Sequence, residues 1–123
     1  MSKPTFSFNF DLERKLDAIV SINTYIPENS YSAELLGTER SGHGIVIRDD
    51  GLILTVGYII TEAETVWIGT GKSSVPGYIV GNDFESGLGL IKPMMPIDLP
   101  CMQLGRLDDI AVDDAVLIAG YGG

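Results

Sequence analysis

The fold is decided by residues 42–63, which read GHGIVIRDDGLILTVGYIITEA. Apolar runs flank an Asp49-Asp50-Gly51 corner, and these corner residues tolerate the positive φ angles of a tight turn. The pattern predicts a β-hairpin whose second strand continues to Thr55. Tyr58 therefore stands where the second strand ends.

Length and composition predict one all-β domain. The chain has 123 residues, enough to bury one modest core and too few for two domains of ordinary size. Hydrophobic residues make up 45% and charged residues 20%, which is ordinary for a globular protein. The 15 glycines and 6 prolines in a chain of this length favour many strands and turns.

The charge balance narrows the range of partners. Lys and Arg number 8 and Asp and Glu 17, a formal net charge of −9, which repels nucleic-acid phosphates and anionic lipid surfaces. No run approaches the roughly 18 apolar residues that a membrane span needs, and residues 1–10 lack the apolar core of a signal peptide. We therefore expect neither nucleic acid nor membrane as a partner, and a cytoplasmic location.

Periodicity outside the hairpin predicts further short elements. Leu12, Leu16 and Ile19 recur at helical spacing after Asp11, a suitable N-cap, so a short amphipathic helix should lay its apolar stripe on the barrel. Residues 33–36 form either a helical turn or a packed loop. Further strands are predicted at residues 20–26, 65–69, 75–80, 88–92 and 115–119. Short strands at this spacing are typical of a small barrel or sandwich.

The motifs stand in a recognisable order. Residues 42–47 read Gly-His-Gly-Ile-Val-Ile before an Asp-Gly turn and an Ile-Leu-Thr strand, and residues 80–92 read VGNDFESGLGLIK. Leu99-Pro100, Leu104-Gly105 and the run at 112–120 follow. In this order they resemble the N-terminal β-barrel of the trypsin-like serine proteases, most closely the HtrA-type family. That family's matching strands read Gly-Ser-Gly-Phe-Ile-Ile and Val-Gly-Arg-Asp-Pro-x-Thr-Asp-Leu-Ala-Leu-Leu-Lys.

The resemblance implies a fold and a division of the chain. The fold is all-β, a small antiparallel barrel of six or seven strands of the trypsin-like type, with a short N-terminal helix. Residues 1–10 would be an N-terminal extension, residues 11–119 the barrel, and residues 120–123 the start of a linker to a second barrel.

The resemblance also locates the catalytic positions. In the family the histidine base follows the Leu-Thr strand in a Thr-Asn-x-His-Val pattern, and Tyr58 stands there. A phenol, with a reference pKa of about 10, keeps its proton at neutral pH, whereas a histidine near 6.5 can accept a serine proton and return it. The aspartate that orients the histidine falls on Gly87, which has no side chain to accept a hydrogen bond. We call these the base position and the orienter position.

These two replacements predict a catalytically inactive HtrA-like protease domain that acts by binding or assembly, with no catalytic, cofactor-binding or metal-binding residue of its own. In the family the active site lies between two barrels, so apolar residues around 59–60 and 88–90 should seek a protein or peptide partner, a second β-barrel or another copy of the chain. The alternative is an N-terminal fragment of a serine endopeptidase whose catalytic groups lie beyond Gly123. A third possibility is a free-standing peptide-binding module that uses an open strand edge.

The remaining candidates have structural interpretations. His43, the only histidine, falls on the serine of the family's Gly-Ser-Gly, so we interpret it as a strand or surface residue; one histidine with scattered carboxylates does not make a metal site. A single cysteine, Cys101, is typical of a protein in a reducing compartment, and we expect it to act as a small, buried apolar residue.

Trp67 is interpreted as a core or interface residue. Residues 69–73 lack the glycine spacing of a phosphate loop, and the acid pairs at 108–109 and 113–114 lack EF-hand spacing.

Overall fold

The structure, a computed structural model, describes residues 11–120. The strands are β1 (Ile19–Tyr25), β2 (Glu39–Val46), β3 (Ile53–Val56), β4 (Thr65–Gly69), β5 (Ser74–Asp83) and β6 (Leu88–Pro93). The helices are α1 (Leu12–Leu16), α2 (Ala33–Leu36) and α3 (Gly57–Ile60), and a 3-10 turn spans Leu107–Asp109. The six strands are antiparallel and close one barrel in the order β1-β2-β3-β6-β5-β4. The prediction of an all-β antiparallel barrel with a short N-terminal helix is confirmed.

The predicted hairpin is formed by β2 and β3. Gly51 has a φ of +88°, which glycine adopts at no steric cost, and its N–H donates to the Arg48 carbonyl at 3.0 Å. Asp50 accepts a hydrogen bond from the Leu52 N–H at 3.3 Å and pairs with Arg48 and Lys92. These two cations, Arg48 first, hold the pKa of Asp50 well below its usual range.

The barrel interior is filled by small and branched aliphatic side chains. The buried cluster contains Ala18, Val20, Ile22, Val46, Ile53, Ile59, Ile60, Val66, Ile68, Val75 and Ile91. Burying one such Ile or Val stabilises the fold by about 1.5–3 kcal/mol. Gly89 leaves room for this packing, because a Cβ there would lie 2.5 Å from Ile60 Cδ1. The atoms nearest to this glycine are thus mainly those of the Ile60 side chain.

The predicted strand at residues 115–119 is wrong. Those residues belong to no strand, and Val116 and Ile118 are 81% and 92% exposed. The reason is topological: β1 pairs with both β2 and β4, so the six-stranded barrel is closed and offers no free edge to a seventh strand. The apolar run at 115–119 has the composition of a strand but no partner in the described chain.

The short helix α1 begins as predicted. The Asp11 side chain accepts a hydrogen bond from the Arg14 N–H at 3.3 Å, which makes it the N-cap. Leu12, Leu16 and Ile19 line one groove with the barrel residue Ile45, so the apolar stripe faces the barrel across this groove, and no residue of α1 is buried. Residues 33–36 resolve into the helical turn α2.

Two predicted segments lie outside the described residues: the N-terminal extension at 1–10 and the last three residues of the linker at 120–123. Between residues 11 and 120, no helix has the length and apolar character to cross a membrane.

Candidate functional site

The base position lies on the one-turn helix α3, directly after β3. Tyr58 is 51% exposed, whereas its neighbours Ile59 and Ile60 are buried in the core. A helical turn rather than a continuing strand therefore presents Tyr58 at the surface while the next two residues anchor it from inside. This corrects the expectation that residues 59–60 form an exposed apolar patch.

The carbonyl groups of this turn are bound by side chains of two distant residues and of Thr61, which ends the turn. The Thr24 hydroxyl donates to the Ile59 carbonyl at 2.6 Å, and Arg40 Nη1 donates to the Tyr58 carbonyl at 2.7 Å. The Thr61 hydroxyl donates to the Gly57 carbonyl at 2.9 Å. Because the last carbonyls of a helix lack intrahelical partners, the donors from Thr24 and Arg40 stabilise a turn too short to persist alone.

The orienter position lies beside the base position. Gly87 ends the turn between β5 and β6 with a φ of +77°, and its N–H donates to the Asp83 carbonyl at 2.9 Å. The Gly87 carbonyl in turn accepts a hydrogen bond from the Gly57 N–H at 2.7 Å. The structure thus brings together the two positions that the sequence resemblance singled out. A Cβ built on Gly87 would meet no atom within 4 Å, so the space into which a side chain would project is open.

Asn82 joins the two turns and was missed by the sequence analysis. Its Nδ2 donates to the Thr61 hydroxyl at 3.1 Å. Its Oδ1 lies close to Gly57, since a Cβ on that glycine would be only 2.6 Å away. No local signal marks this asparagine, because both of its partners are more than twenty residues away in the sequence.

The carboxylate of Asp83 stabilises the turn at the orienter position. Asp83 Oδ1 accepts a hydrogen bond from the Glu85 N–H at 3.1 Å. Hydrogen bonds from Ser86 and Glu85 lower the pKa of Asp83, so this carboxylate is ionised at neutral pH and occupied with its own turn.

Exposed apolar side chains flank the base position. Val56 and Leu88 are directly opposite each other in the β3–β6 register, and they are 47% and 46% exposed. Cross-strand neighbours lie on the same face of a sheet. We call these two residues the apolar pair. Leu88 belongs to residues 88–90, one of the two segments that the sequence predicts to contact a partner.

His43 lies on β2 opposite Ser21. A Cβ on Gly120 would lie 3.4 Å from its ring atoms Cε1 and Nε2, so the imidazole packs beside the C-terminal segment. Its backbone carbonyl accepts a hydrogen bond from the Thr55 hydroxyl at 2.9 Å. The prediction that His43 has no catalytic role stays a prediction.

Cys101 is partly exposed rather than fully buried, which corrects the expectation from the sequence. It packs against the core, and its Sγ donates to Asp49 Oδ1 at 3.2 Å. The Asp49 carboxylate raises the pKa of the Cys101 thiol. A thiol held in this way carries little thiolate at neutral pH, the opposite of what a nucleophilic cysteine needs.

The other motifs take structural roles. Residues 69–73 form a hairpin turn in which the Thr70 hydroxyl accepts hydrogen bonds from the Lys72 and Ser73 N–H groups. Trp67 lies on β4 and is 37% exposed. Within the described range of the chain, no group of three or more His, Cys, Asp or Glu side chains is placed to hold a metal ion.

Comparison with known sequences gives related proteins. A family model for a trypsin-like peptidase domain matches residues 42–123. Over 121 residues, or 95% of its length, the chain is 27% identical to the serine protease HTRA1 of Xenopus tropicalis and covers 26% of it. Over 80 residues, or 64% of its length, it is 31% identical to a probable periplasmic serine endoprotease DegP-like protein of Pseudomonas fulva and covers 16% of it. The chain thus spans only a small part of these relatives.

Comparison with solved structures gives the same architecture. The chain is similar to a variant of the HtrA-type protease AlgW with tripeptide, with a TM-score of 0.69 and 22% identity over 84% of this chain and 31% of that one. The serine endoprotease from Yersinia pestis gives a TM-score of 0.61 and 23% identity over 84% of this chain and 35% of that one. At these identities the likeness concerns the fold, which agrees with the six-stranded barrel.

Proposed function

This chain belongs to the family of trypsin-like peptidase domains, and from that premise we propose that it is a catalytically inactive member that acts by binding or assembly. The observation that carries the proposal is the exposed Tyr58 on α3, whose neighbour Gly57 donates its N–H to the Gly87 carbonyl. The two positions where the family pattern has a base and its orienting carboxylate are adjacent here, but they hold a phenol and a glycine.

The chemistry of these two side chains supports inactivity. A serine nucleophile needs a neighbour that takes its proton near neutral pH, which is the chemistry of an imidazole and not of a phenol. Loss of one member of such a triad commonly costs a factor of about 10⁴ or more in kcat. Hydrogen bonds from Thr24, Arg40 and Thr61 still fix the backbone of α3. An ordered turn without a base supports a role for this part of the barrel other than proton transfer.

The apolar pair supports a role in binding. Val56 and Leu88 lie next to the turn that carries Tyr58, and the resemblance to the family implies that this turn faces the cleft between two barrels. The partner that fits is another protein surface: a second β-barrel, a second copy of this chain, or a peptide. The AlgW variant was solved with a tripeptide, which is in keeping with a peptide ligand. The net charge of −9 disfavours nucleic acid and anionic membranes.

Sedimentation velocity over a range of concentrations tests the binding role. The 123-residue chain should self-associate through the apolar pair. Val56→Ser with Leu88→Ser should weaken this association by about 4 kcal/mol, or roughly 1,000-fold in Kd, because a dimer covers the pair of both copies and each half-exposed side chain contributes about 1 kcal/mol when covered. The matched control is Val112→Ser with Leu107→Ser, which removes two exposed side chains of the same types elsewhere. A chain that stays monomeric at high concentration, or a control that weakens association equally, contradicts self-association through the apolar pair.

The alternative is that the chain is the N-terminal part of a working serine endopeptidase. The observation that favours it is coverage: the chain matches 16–26% of the length of the relatives compared above. Under this alternative, the nucleophile, a new histidine and a carboxylate would all lie beyond Gly123. Translating the reading frame past Gly123 separates the two, since a Gly-x-Ser-Gly-Gly segment with a new histidine and carboxylate favours the enzyme.

A further inference from the structure

The buried guanidinium of Arg40 lies between two segments that are distant in the sequence. Arg40 is on β2 and is only 5% exposed. On one side, Nη1 donates to the carbonyls of Tyr58 at 2.7 Å and Thr61 at 3.0 Å. On the other side, Nη2 donates to the Ser32 hydroxyl at 2.9 Å, and Nε and Nη2 donate to the Gly37 carbonyl at 3.3 and 3.2 Å.

This arrangement is unusual for a buried cation. Within the described part of the chain, none of the acceptors of Arg40 is a carboxylate. A buried charge is tolerated when all its donors are satisfied, and removing acceptors exposes its desolvation cost. The carbonyls of Tyr58 and Thr61 in turn belong to the end of α3, where helical partners are lacking. Each side therefore depends on the guanidinium that lies between them.

A second link crosses the same gap with the opposite charge. Glu62 follows α3, and its φ of +60° is uncommon for a residue with a side chain. Its Oε1 accepts a hydrogen bond from the Ser32 N–H at 2.7 Å, and its Oε2 accepts one from the Tyr31 N–H at 3.1 Å. Arg40 and Glu62 thus both hold residues 26–38, the connection between β1 and β2, which we call the β1–β2 loop.

We infer that Arg40 and Glu62 couple the β1–β2 loop to the turn that carries Tyr58, so that the loop sets the backbone conformation at Tyr58. A displacement of the loop is then transmitted to the base position through side chains that contact both. The inference rests on the proposed function in one respect, which is that Tyr58 occupies the base position. The contacts themselves do not depend on whether the protein is active.

Hydrogen exchange of single amides tests the coupling from the loop side. Ser32→Ala removes one acceptor of Arg40 without touching α3. Exchange should accelerate about tenfold at the Thr61 amide, which donates to Gly57, and at the Gly57 amide, which donates to Gly87. Amides in the middle of β3 and β6 should keep their rates. The matched control is Ser41→Ala, which changes an exposed serine next to Arg40 in the sequence. This variant should leave the amide exchange rates unchanged in both the β1–β2 loop and α3.

Two further variants keep the test decisive. Arg40→Met should accelerate exchange in the β1–β2 loop and in α3 together. Should Arg40→Met fail to fold, Glu62→Gln serves the same purpose. The side-chain amide of glutamine would place an N–H donor where Glu62 now accepts a hydrogen bond from the backbone N–H of Tyr31 or Ser32, so one of these bonds is lost. If Ser32→Ala and Glu62→Gln accelerate exchange in the loop and leave Thr61 and Gly57 unchanged, the coupling is overturned. That result would leave the proposal of inactivity untouched, and peptidase activity in the protein would leave the coupling untouched.

Discussion

Replacing Gly57 by alanine perturbs the contact between the base and orienter positions. The Gly57 N–H donates to the Gly87 carbonyl at 2.7 Å. A Cβ on Gly57 would lie 2.6 Å from Asn82 Oδ1 and 3.2 Å from the Gly87 carbonyl oxygen. Asn82 can rotate away only by giving up its hydrogen bond to Thr61, and the Gly87 oxygen can move only with its turn.

The expected loss of stability follows from these contacts. Overpacking of this kind costs about 1–3 kcal/mol, and loss of the Gly57–Gly87 hydrogen bond costs about 0.5–1.5 kcal/mol. Alanine recovers up to about 1 kcal/mol, because it lowers the conformational entropy of the unfolded chain. The net free energy of unfolding should fall by about 1–3 kcal/mol, and the midpoint of thermal unfolding by roughly 4–12 °C for a chain of this length.

Thermal and urea unfolding, followed by circular dichroism and by the fluorescence of Trp67, measure this loss. The matched control is Gly81→Ala on β5, because a Cβ at Gly81 would meet no atom within 4 Å. That variant should stay within about 1 kcal/mol of the parent chain. If Gly57→Ala is as stable as Gly81→Ala, the two turns are not packed as described.

Three other changes have expected outcomes. The pKa of Asp50 is lower in the folded chain than in the unfolded one, so the unfolded chain takes up this proton first and stability falls as the pH drops below about 4. Asp50→Asn should flatten the acid limb of stability measured by urea unfolding, and an unchanged limb would count against the ion pairs. Because the Asp49 carboxylate raises the pKa of the Cys101 thiol, Asp49→Asn should speed the reaction of Cys101 with a disulfide reagent at pH 8; equal rates would show that the contact is absent in solution. Thr24→Val leaves the buried Ile59 carbonyl without its donor and should cost about 1–3 kcal/mol in urea unfolding, and a neutral substitution would show that this hydroxyl does not stabilise α3.

The elements predicted correctly from the sequence are those with a local cause. The Asp-Gly corner at residues 50–51 demands a tight turn, and Gly51 has the positive φ that such a turn needs. Asp11 caps α1 through a residue only three positions away. Each of these signals lies within a few residues of the structure it produces, so the sequence alone suffices.

The helical turn α3 could not be predicted in this way. Residues 56–60 read as a short apolar run that suits a strand as well as a helix. What selects the helix is tertiary: Thr24 reaches the carbonyl of Ile59, 35 residues away, and Arg40 reaches that of Tyr58, 18 residues away. For the same reason neither Arg40 nor Asn82 carried a signal as a residue that positions the site.

Two features of the fold explain why the positions of two apolar segments were predicted wrongly. The run at residues 115–119 was predicted as a strand from its composition, but pairing of β1 with β4 leaves no edge for it. Ile59 and Ile60 were expected on an exposed face, but the helical turn directs them into the core. The division at residues 10/11 and 119/120 and the cytoplasmic location stay predictions.

Labelling of the complete gene product with a serine-reactive fluorophosphonate probe tests the inactivity of this domain most directly. With Tyr58 at the base position and Gly87 at the orienter position, we expect no labelling above that of the heat-denatured protein. Stoichiometric labelling that is abolished by Ser→Ala at a single serine would contradict the account and establish a working serine hydrolase.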